Sequence, residues 1–364
     1  MYFGGMQQNT FLLYGANGYT GELIARFAGN YGLQPVLAGR NEKAIRALAE
    51  RLQLPCCILS LNNTDALQQQ LSQTQLVVNA AGPYDVTAKP MVEACLQNGT
   101  HYIDLNGDLD VFNLLQTYDT QAREKGIMLL PGAGFDVVPT DCLALWLQQQ
   151  LPDANLLEIA FAIEGSHLSR GTAITTLQKL GLPGAVRTNG HITPEPVGKT
   201  GRWVQFTGKP RRQFTMSIPW GDISTAFVST RIPNIVTYTG VSRFTWLFLR
   251  AQAVFNPLLR AAWMHRLIQK IILRQAPGPD DNVRGKATSY IKAAVTNPQG
   301  QTLMGSMRCP EAYALTADAT LLIAQKILSD KFTPGYQTPA SAYGADLVME
   351  IAGVTRWLEK EATW

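Results

Sequence analysis

The sequence is poor in charged residues and in the side chains that hold metal ions. Asp, Glu, Lys and Arg make up 16% of its 364 residues, against about 25% in a typical globular domain. Its four histidines are scattered along the chain, and its five cysteines include no Cys-x-x-Cys pair. These absences exclude the usual zinc and disulfide patterns and favour reduced thiols in a cytosolic protein. We predict no metal site.

Long apolar runs and a strong net charge are also absent. No uninterrupted apolar run reaches the ~18–20 residues of a membrane-spanning helix. The N-terminus has neither the basic region nor the apolar core of a signal peptide. The formal net charge of +4 is too small to indicate nucleic-acid binding. We therefore expect a cytoplasmic protein with a small-molecule substrate. Its low charge leaves an oligomer interface, an apolar ligand or a membrane surface open.

A glycine-rich turn lies between a short apolar run and a helix-compatible segment. Residues 11–14 are apolar and long enough for a buried parallel strand, and Gly15, Gly18 and Gly21 follow at G-x-x-G-x-x-G spacing. Such a turn directs backbone N–H groups and the positive end of a helix dipole at a phosphate. We expect Gly15 to permit the tight turn. Gly18 would let a pyrophosphate approach the backbone, and Gly21 would let the helix pack against the strand.

A second strand, residues 36–38, is followed by Gly39 and Arg40, where a dinucleotide-binding unit places its ribose-reading side chain. An NAD site usually has Asp or Glu there, whereas a guanidinium can pair with a 2′-phosphate. We therefore predict NADP(H) as the cofactor. The alternative is a glycine-rich turn beside a surface arginine. The predicted cofactor-binding residues are Gly15, Asn17, Gly18, Tyr19, Thr20, Gly21, Arg40, Asn79, Ala80, Ala81 and Gly82.

Predicted strands and helices alternate along the N-terminal part of the chain. The further strands are 56–61, 76–81, 101–105 and 127–130, and the helices include 41–52, 66–71, 91–97 and 112–124. This alternation predicts an α/β fold with a Rossmann doubly wound parallel sheet. From residue 156 the alternation is lost, which predicts a second, α+β domain.

Polar residues follow several of the predicted strands, where doubly wound sheets bind their ligands. Tyr84 is a candidate proton donor, and Asp104 and Asp136 are candidates to orient a substrate. These three are the predicted catalytic residues. The alternative is turn chemistry, because Asn, Asp and Gly are common at strand ends in any protein.

Several of these segments resemble a known family. They are the glycine motif, residues 38–40, 78–84, 102–104, 107–108 and 134–141, and two C-terminal motifs at 310–317 and 338–346. Together they resemble the saccharopine dehydrogenase-like oxidoreductases, in the branch of saccharopine dehydrogenase-like proteins and trans-acting enoyl reductases. Asp108 stands where family members often carry Glu. The variable middle of the chain leaves the substrate open.

The resemblance implies an NADP(H)-dependent oxidoreductase that reduces a C=C, C=O or C=N bond, with a lipid-like molecule as one possible substrate. The alternative is a membrane- or partner-associated protein whose Rossmann domain serves structure or cofactor sensing. We predict a Rossmann domain over 1–145 and an α+β substrate and dimerisation domain over 146–310. A C-terminal helical segment, 311–364, is expected to return to the Rossmann domain.

One stretch of the sequence contains many basic residues and almost no acidic ones. Between Glu195 and Asp280 the only acidic residue is Asp222, while basic and aromatic residues alternate over 241–275. A basic, aromatic-bearing helix can lie in an anionic membrane interface. The alternative is an ordinary packing helix at the contact of a homodimer. Both a peripheral membrane contact through 241–275 and a homodimer are expectations at this point.

Overall fold

The computed structural model describes residues 9–179, 181–250, 262–361 and 363–364. The chain divides into two compact units. The first unit comprises Met1–Val138 and Tyr313–Ala342, and the second comprises Pro139–Ala312 and Tyr343–Trp364. Each unit has its own β-sheet.

The strands of the described chain, in order, are β1 (Thr10–Tyr14), β2 (Gln34–Gly39), β3 (Cys56–Ile58), β4 (Leu76–Asn79), β5 (His101–Asp104), β6 (Met128–Leu130), β7 (Leu156–Glu164), β8 (Gly184–Thr188), β9 (His191–Glu195), β10 (Gly201–Val204), β11 (Gln213–Ile218), β12 (Asn234–Gly240), β13 (Thr288–Thr296), β14 (Thr302–Cys309), β15 (Gly335–Tyr336) and β16 (Thr355–Leu358).

The helices are α1 (Tyr19–Phe27), α2 (Glu42–Leu52), α3 (Thr64–Leu71), α4 (Tyr84–Asn98), α5 (Leu109–Gln116), α6 (Asp119–Glu124), α7 (Val138–Gln148), α8 (Arg170–Lys179), α9 (Asp222–Thr230), α10 (Arg243–Arg250), α11 (Ala262–Ile272), α12 (Asp281–Lys286), α13 (Ala312–Leu328) and α14 (Pro339–Tyr343). Within the described ranges, none of them is long and apolar enough to cross a bilayer.

The sheet of the first unit is parallel, in the order β15-β6-β5-β4-β1-β2-β3. Its central strands are buried on both faces, so they consist of apolar runs such as Leu76-Val-Val rather than alternating patterns. Three of the helices between them, α2, α3 and α5, start at side-chain caps, as when Asn41 Oδ1 accepts from Ala44 N at 3.1 Å. This is the predicted doubly wound Rossmann sheet.

The register of this sheet brings the predicted site residues to one edge. Tyr14 lies opposite Ala38 of β2 on one side and opposite Asn79 of β4 on the other. Asn79 in turn lies opposite Asp104 at the end of β5. Because parallel strands all end at the same edge, residues distant in sequence become neighbours there.

The sheet of the second unit is mixed, in the order β10-β11-β12-β7-β13-β14-β16, with the β8-β9 pair attached to β12. β7 pairs in parallel with β12 and antiparallel with β13. β13 and β14 form an antiparallel hairpin. With its helices, this unit has the predicted α+β character.

Some predicted boundaries differ from the structure. The helix predicted over 91–97 begins seven residues earlier, at Tyr84, and contains Pro90 in its interior. The single helix predicted over 112–124 is wrong, since α5 ends at Gln116 and α6 begins at Asp119. Of the segment 241–275, residues 251–261 lie outside the described part.

The division into units also differs from the sequence-based boundaries of 145, 310 and 364. The first unit ends at Val138, and Tyr313–Ala342 groups with it. Tyr343–Trp364 groups with the second unit because β16 adds to the sheet beside β14, with Ser306 opposite Trp357. The segment 311–364 is therefore shared between the units and does not return to the Rossmann domain as a whole.

Candidate functional site

The glycine turn after β1 is fixed to the neighbouring strand. Gly15 has a φ of +84°, a conformation that glycine adopts without strain. The N–H groups of Gly15 and Ala16 both donate to the carbonyl of Ala38, at 2.8 and 3.2 Å. Gly18 N donates to the Gly15 carbonyl at 2.9 Å. The turn is therefore tight and joined to the end of β2.

The three glycines differ in the space around them. A Cβ on Gly15 would lie 2.7 Å from Ala81 N, and one on Gly21 would clash with the Gly15 carbonyl. A Cβ on Gly18 would meet nothing closer than that carbonyl, at 3.2 Å. Gly15 and Gly21 thus allow backbone segments to pack together, whereas Gly18 is exposed and leaves its outer side open. This arrangement fits an approaching pyrophosphate.

The N-terminus of α1 completes the turn. Gly18 is the N-cap, its carbonyl accepts from Glu22 N at 2.8 Å, and no side chain caps the helix. The N–H groups of the first turn, among them those of Thr20 and Gly21, lack intrahelical acceptors. They lie at the N-terminus, which is the positive end of the helix dipole. The acidic side chain of this turn, Glu22, pairs with Arg51 at 2.7 Å. The helix end therefore suits an anion.

Arg40 is exposed at the end of β2, beside the glycine turn. Burial raises the pKa of Tyr14, and the nearby Arg40 charge partly opposes that rise. Asn17 Oδ1 lies against Gly39, where an added Cβ would be only 3.2 Å away. A cation beside the turn fits the extra phosphate of NADP better than the bare ribose of NAD.

The residues after β4 form the opposite wall of the turn. Ala80 N donates to the Tyr14 carbonyl at 2.8 Å, which continues the pairing of β4 with β1. Asn79 Oδ1 accepts from Ala81 N at 3.1 Å. Gly82 follows, and its peptide bond to Pro83 is cis. The ring of Tyr19 meets the edge of Tyr313, with centroids 5.1 Å apart.

A buried polar network joins β4 and β5. Asn79 Nδ2 donates to the Tyr102 hydroxyl at 3.1 Å, and that hydroxyl donates to Asp104 Oδ2 at 2.8 Å. Asp104 Oδ1 accepts from the N–H groups of Asn106 and Gly132, both at 3.0 Å. Burial raises the pKa of the Asp104 carboxyl, while these hydrogen bonds oppose the rise. With both oxygens engaged, Asp104 is placed to hold its neighbours in position.

Tyr84 lies where the predicted catalytic residues meet. Burial raises the pKa of its hydroxyl well above the usual value, and the negative charges of Asp104 and Asp136 raise it further. A hydrogen bond from the backbone of Leu105 opposes this rise. The structure thus brings together three residues that lie on three separate segments of the sequence. The hydroxyl keeps its proton at neutral pH, as a proton donor must.

Asp136 lies in the turn between β6 and α7. Burial raises the pKa of its carboxyl to about 7, so that it is about half protonated in neutral solution. Gly107 leaves room for this carboxyl, because a Cβ there would lie 2.7 Å from Asp136 Oδ2. The turn is held by α13, where Thr316 Oγ1 accepts from Phe135 N at 3.0 Å. A carboxyl that titrates near neutrality suits acid–base catalysis.

Sequence reasoning missed three supporting side chains. Tyr102 links Asn79 to Asp104, Thr87 Oγ1 donates to the Ala81 carbonyl at 2.7 Å, and Thr316 holds the Asp136 turn. Tyr102 could have been found, since it lies two residues before Asp104 and therefore on the same face of β5. The other two contacts depend on tertiary packing. Among residues 9–179, 181–250, 262–361 and 363–364, no cluster of His, Cys, Asp or Glu is arranged to hold a metal ion.

Comparison with known proteins identifies relatives of this chain. The family model described as the saccharopine dehydrogenase NADP binding domain matches residues 11–130. A mouse saccharopine dehydrogenase-like oxidoreductase is 25% identical over 48% of this chain and 47% of its own length. A Caenorhabditis elegans lipid droplet localized protein is 27% identical over 50% of this chain and 46% of its own length.

Two further proteins are similar. A Mycobacterium tuberculosis protein, named provisionally as a trans-acting enoyl reductase, is 34% identical over 36% of this chain and 33% of its own length. The structure of an apo saccharopine dehydrogenase (L-Glu forming) from Saccharomyces cerevisiae has a TM-score of 0.69 at 13% identity, covering 96% of this chain and 100% of that one. That likeness shows a shared fold.

The matched segments span about half or less of the length of these curated relatives. What they establish lies in the nucleotide-binding part, where the family model covers the glycine turn, Arg40 and the ends of β4 and β5. The description of the matching model names NADP as the ligand of that part. Residues 11–130 thus match the saccharopine dehydrogenase NADP binding domain, and the chain is similar over about half its length to saccharopine dehydrogenase-like oxidoreductases.

Proposed function

We propose that this protein is an NADP(H)-dependent oxidoreductase that reduces a C=C, C=O or C=N bond of a small-molecule substrate. The observation that carries the proposal is a single sheet edge. At this edge lies the N-terminus of α1, which begins after Gly18 and has no side-chain cap. Tyr84 and Asp136, two groups suited to proton transfer, lie at the same edge. Phosphate binding and proton transfer at one edge are what a reductase needs.

In this proposal, residues 15–21 hold the pyrophosphate and Arg40 pairs with the 2′-phosphate. Arg40 is exposed at the end of β2 and has no acidic residue beside it in the sequence before Glu42. Glu42 itself pairs with Arg46 at 2.8 Å. The guanidinium therefore favours NADP over NAD, which agrees with the name of the matching domain. The bound nicotinamide supplies or accepts the hydride.

The chain supplies the proton. Hydride addition to a polarised double bond leaves negative charge on the substrate, and a protonated group must neutralise it. Tyr84 and Asp136 are two groups of this edge that hold a proton near pH 7. Asp104, with its carboxylate fixed by Tyr102, Asn106 and Gly132, positions β5 beneath them.

The names of two relatives support a lipid-like substrate. The mycobacterial protein is named for enoyl reduction and the nematode protein for lipid droplets. An enoyl group is a C=C bond conjugated to a carbonyl, so hydride addition there would need the same proton donor. The low charge of the sequence suits an apolar substrate or surface as well.

The alternative is a membrane- or partner-associated protein in which the Rossmann domain senses a cofactor without catalysis. The observation that favours it is the set of large apolar side chains exposed on α10 and α11. A cytoplasmic location and a homodimer remain part of the proposal, and the solution mass by sedimentation tests the latter. Catalysis and sensing predict different results in one assay series.

That series measures NADPH and NADH affinity and then NADPH oxidation with enoyl, carbonyl and imine substrates. The proposal expects tighter binding of NADPH and its oxidation with one substrate class. Tight NADPH binding without turnover across all three classes would favour cofactor sensing. Failure to bind either nucleotide by the folded protein would overturn both functions.

A further inference from the structure

The helices α10 and α11 of the second unit expose large apolar side chains. Phe244 is 81% exposed, and Leu247 and Phe248 beside it are also exposed. On α11 the exposed residues are Trp263, Leu267 and Ile271, with Leu273 just after the helix. Soluble monomers seldom leave so many large apolar side chains in water within two short helices.

Both helices are anchored by their other faces. Trp246 Nε1 donates to the Gly198 carbonyl at 2.8 Å, and its ring packs against Phe214 at 5.0 Å. On α11, Ile272 is buried, and the segment after the helix holds the start of α8 through a bond of 3.0 Å from Arg170 N to the Pro277 carbonyl. The exposed apolar residues therefore belong to held helices and do not come from loose ends.

The exposed face of α11 carries two neighbouring rows. Trp263, Leu267 and Ile271 recur every four residues, Arg266 and Lys270 form a second row at the same spacing, and the exposed Arg274 follows two residues after the helix ends. At 100° per residue the basic row lies about 60° around the helix from the apolar row. An apolar row flanked by basic side chains is the pattern of a helix that lies in a membrane interface.

The charge of the surrounding sequence has one sign. Between Glu195 and Asp280 the only acidic residue is Asp222, which is fully buried. On α10, Arg243 and Arg250 at the two ends are exposed as well. Residues 196–279 therefore contain no exposed acidic side chain.

This charge distribution distinguishes between two partners that could cover the apolar face, a second copy of the chain and a lipid surface. In a symmetric homodimer a surface patch meets itself, so cations would face cations with no acid in the segment to pair them. An anionic lipid surface is complementary both to the cations and to the apolar side chains between them. We infer that α10 and α11 dock the protein on the surface of an anionic bilayer.

Co-sedimentation with vesicles tests this inference on the full-length protein. Vesicles of phosphatidylcholine with phosphatidylglycerol should pull down the protein, and vesicles of phosphatidylcholine alone should bind it much less. Binding should weaken as salt is added, because the screening length falls from about 10 Å at 0.1 M to about 3 Å at 1 M. No binding to the anionic vesicles at low salt would overturn the inference.

Two variants locate the surface. Arg266→Gln/Lys270→Gln/Arg274→Gln should weaken partitioning about a hundredfold, since each cation near an anionic surface contributes about a factor of five or more. The matched control, Arg46→Gln/Lys89→Gln/Lys125→Gln, removes the same charge from exposed positions of the first unit. It should leave partitioning nearly unchanged, and an equal loss in both variants would overturn the inference.

A third variant distinguishes the bilayer from a second copy of this chain. Phe244→Ser/Trp263→Ser should also lose vesicle binding, with no change in the solution mass measured by sedimentation. If this variant shifts the solution mass and keeps its vesicle binding, the face joins two copies and the inference fails. These residues are exposed, so the fold is expected to persist, which circular dichroism checks.

Discussion

The sheet edge of the first unit and the α10–α11 face of the second depart from ordinary burial in opposite directions. At the sheet edge, Asn79 and Asp104 are polar and fully buried. On the helices, Phe244 and Trp263 are large, apolar and exposed. Buried polar groups and exposed apolar patches are the informative exceptions to the rule of hydrophobic cores. In our proposals the first exception serves the binding of small molecules, and the second serves docking on a lipid surface.

The two regions also differ in how they resist change. The polar groups of the sheet edge are tied to backbone atoms, as Asp104 is to Gly132, so a substitution there affects both folding and function. The outward side chains of α10 and α11 are exposed and make few contacts within their own unit. A substitution there should therefore change association and leave folding unchanged. Substitutions in the two regions test this contrast.

The largest effect is expected at the glycine turn. Gly18→Val should abolish binding of both NADPH and NADH, because a branched side chain would occupy the open side that the pyrophosphate must approach. The fold should persist, since the residue is exposed and only the Gly15 carbonyl, 3.2 Å from an added Cβ, would have to shift slightly. Isothermal titration calorimetry measures the affinity.

Gly29→Val is the matched control for this prediction. Gly29 is exposed and would place a Cβ in open space, away from the turn. It should keep full affinity for both nucleotides. A folded Gly18→Val protein that binds NADPH as tightly as the unchanged protein contradicts the assignment of the turn.

A second large effect concerns Asp136 and pH. Its carboxyl is protonated below a pKa of about 7, so a reaction that takes its proton should slow as pH rises through 7. Asp136→Asn should reduce the rate by about 10²–10⁴ and remove this pH dependence, as proton-transfer groups typically do. The measurement is kcat for NADPH oxidation against pH, with Asp110→Asn as an exposed control.

The same substitution should raise stability at alkaline pH. The native pKa of Asp136, about 7, lies above the ordinary value of 3.8, so the native state holds the proton more tightly than the unfolded state. Stability from this group is full at low pH and is lost as pH rises through 7. Asp136→Asn should therefore stabilise the protein at pH 8 by up to about 4 kcal/mol in urea unfolding. Equal stability of the two proteins at pH 8 would show that the carboxyl titrates normally.

An intermediate effect is expected at Arg40. Arg40→Ala should weaken NADPH binding about ten- to a hundredfold, because a charge-assisted phosphate contact contributes roughly 1.5–3 kcal/mol. NADH binding should stay unchanged, since NADH has no 2′-phosphate. Arg46→Ala, which removes an exposed arginine on α2 six residues further on, should alter neither affinity. Equal affinity of the unchanged protein for NADPH and NADH would contradict the NADP assignment.

What the sequence predicted in these regions depended on local signals. The first strand, the glycine turn and the helix predicted over 41–52 follow from short-range chemistry, and the structure has all three, the last as α2. The meeting of Tyr84 and Asp136 followed from one general rule, that parallel strands end at a common edge. These predictions required no knowledge of which residues contact one another in the fold.

The failures came where tertiary packing overrode local preference. Pro90 disfavours a helix interior, and the predicted helix begins just after it at residue 91, yet α4 runs through Pro90 from Tyr84. The pairing of β16 with β14 leaves no mark in the local pattern either, because it joins segments some 50 residues apart and needs the finished sheet. On α10 and α11 the sequence showed the residue types, and only the structure shows which of them face outward.

The smallest effect is expected on the exposed face, and it sharpens the comparison most directly. Phe244→Ser should change the free energy of unfolding by less than about 0.5 kcal/mol, because an exposed side chain loses few contacts. Ile272→Ala, on the buried side of α11, should destabilise the protein by about 2–5 kcal/mol through lost burial and a cavity. Urea unfolding of the two variants in the absence of lipid measures both.

If Phe244→Ser destabilises the protein as much as Ile272→Ala, then Phe244 is covered by protein in solution. The outward face would then be part of the folded assembly and would no longer contrast with the sheet edge. A small effect means that burial within the protein does not explain these apolar residues, and an external surface must account for them.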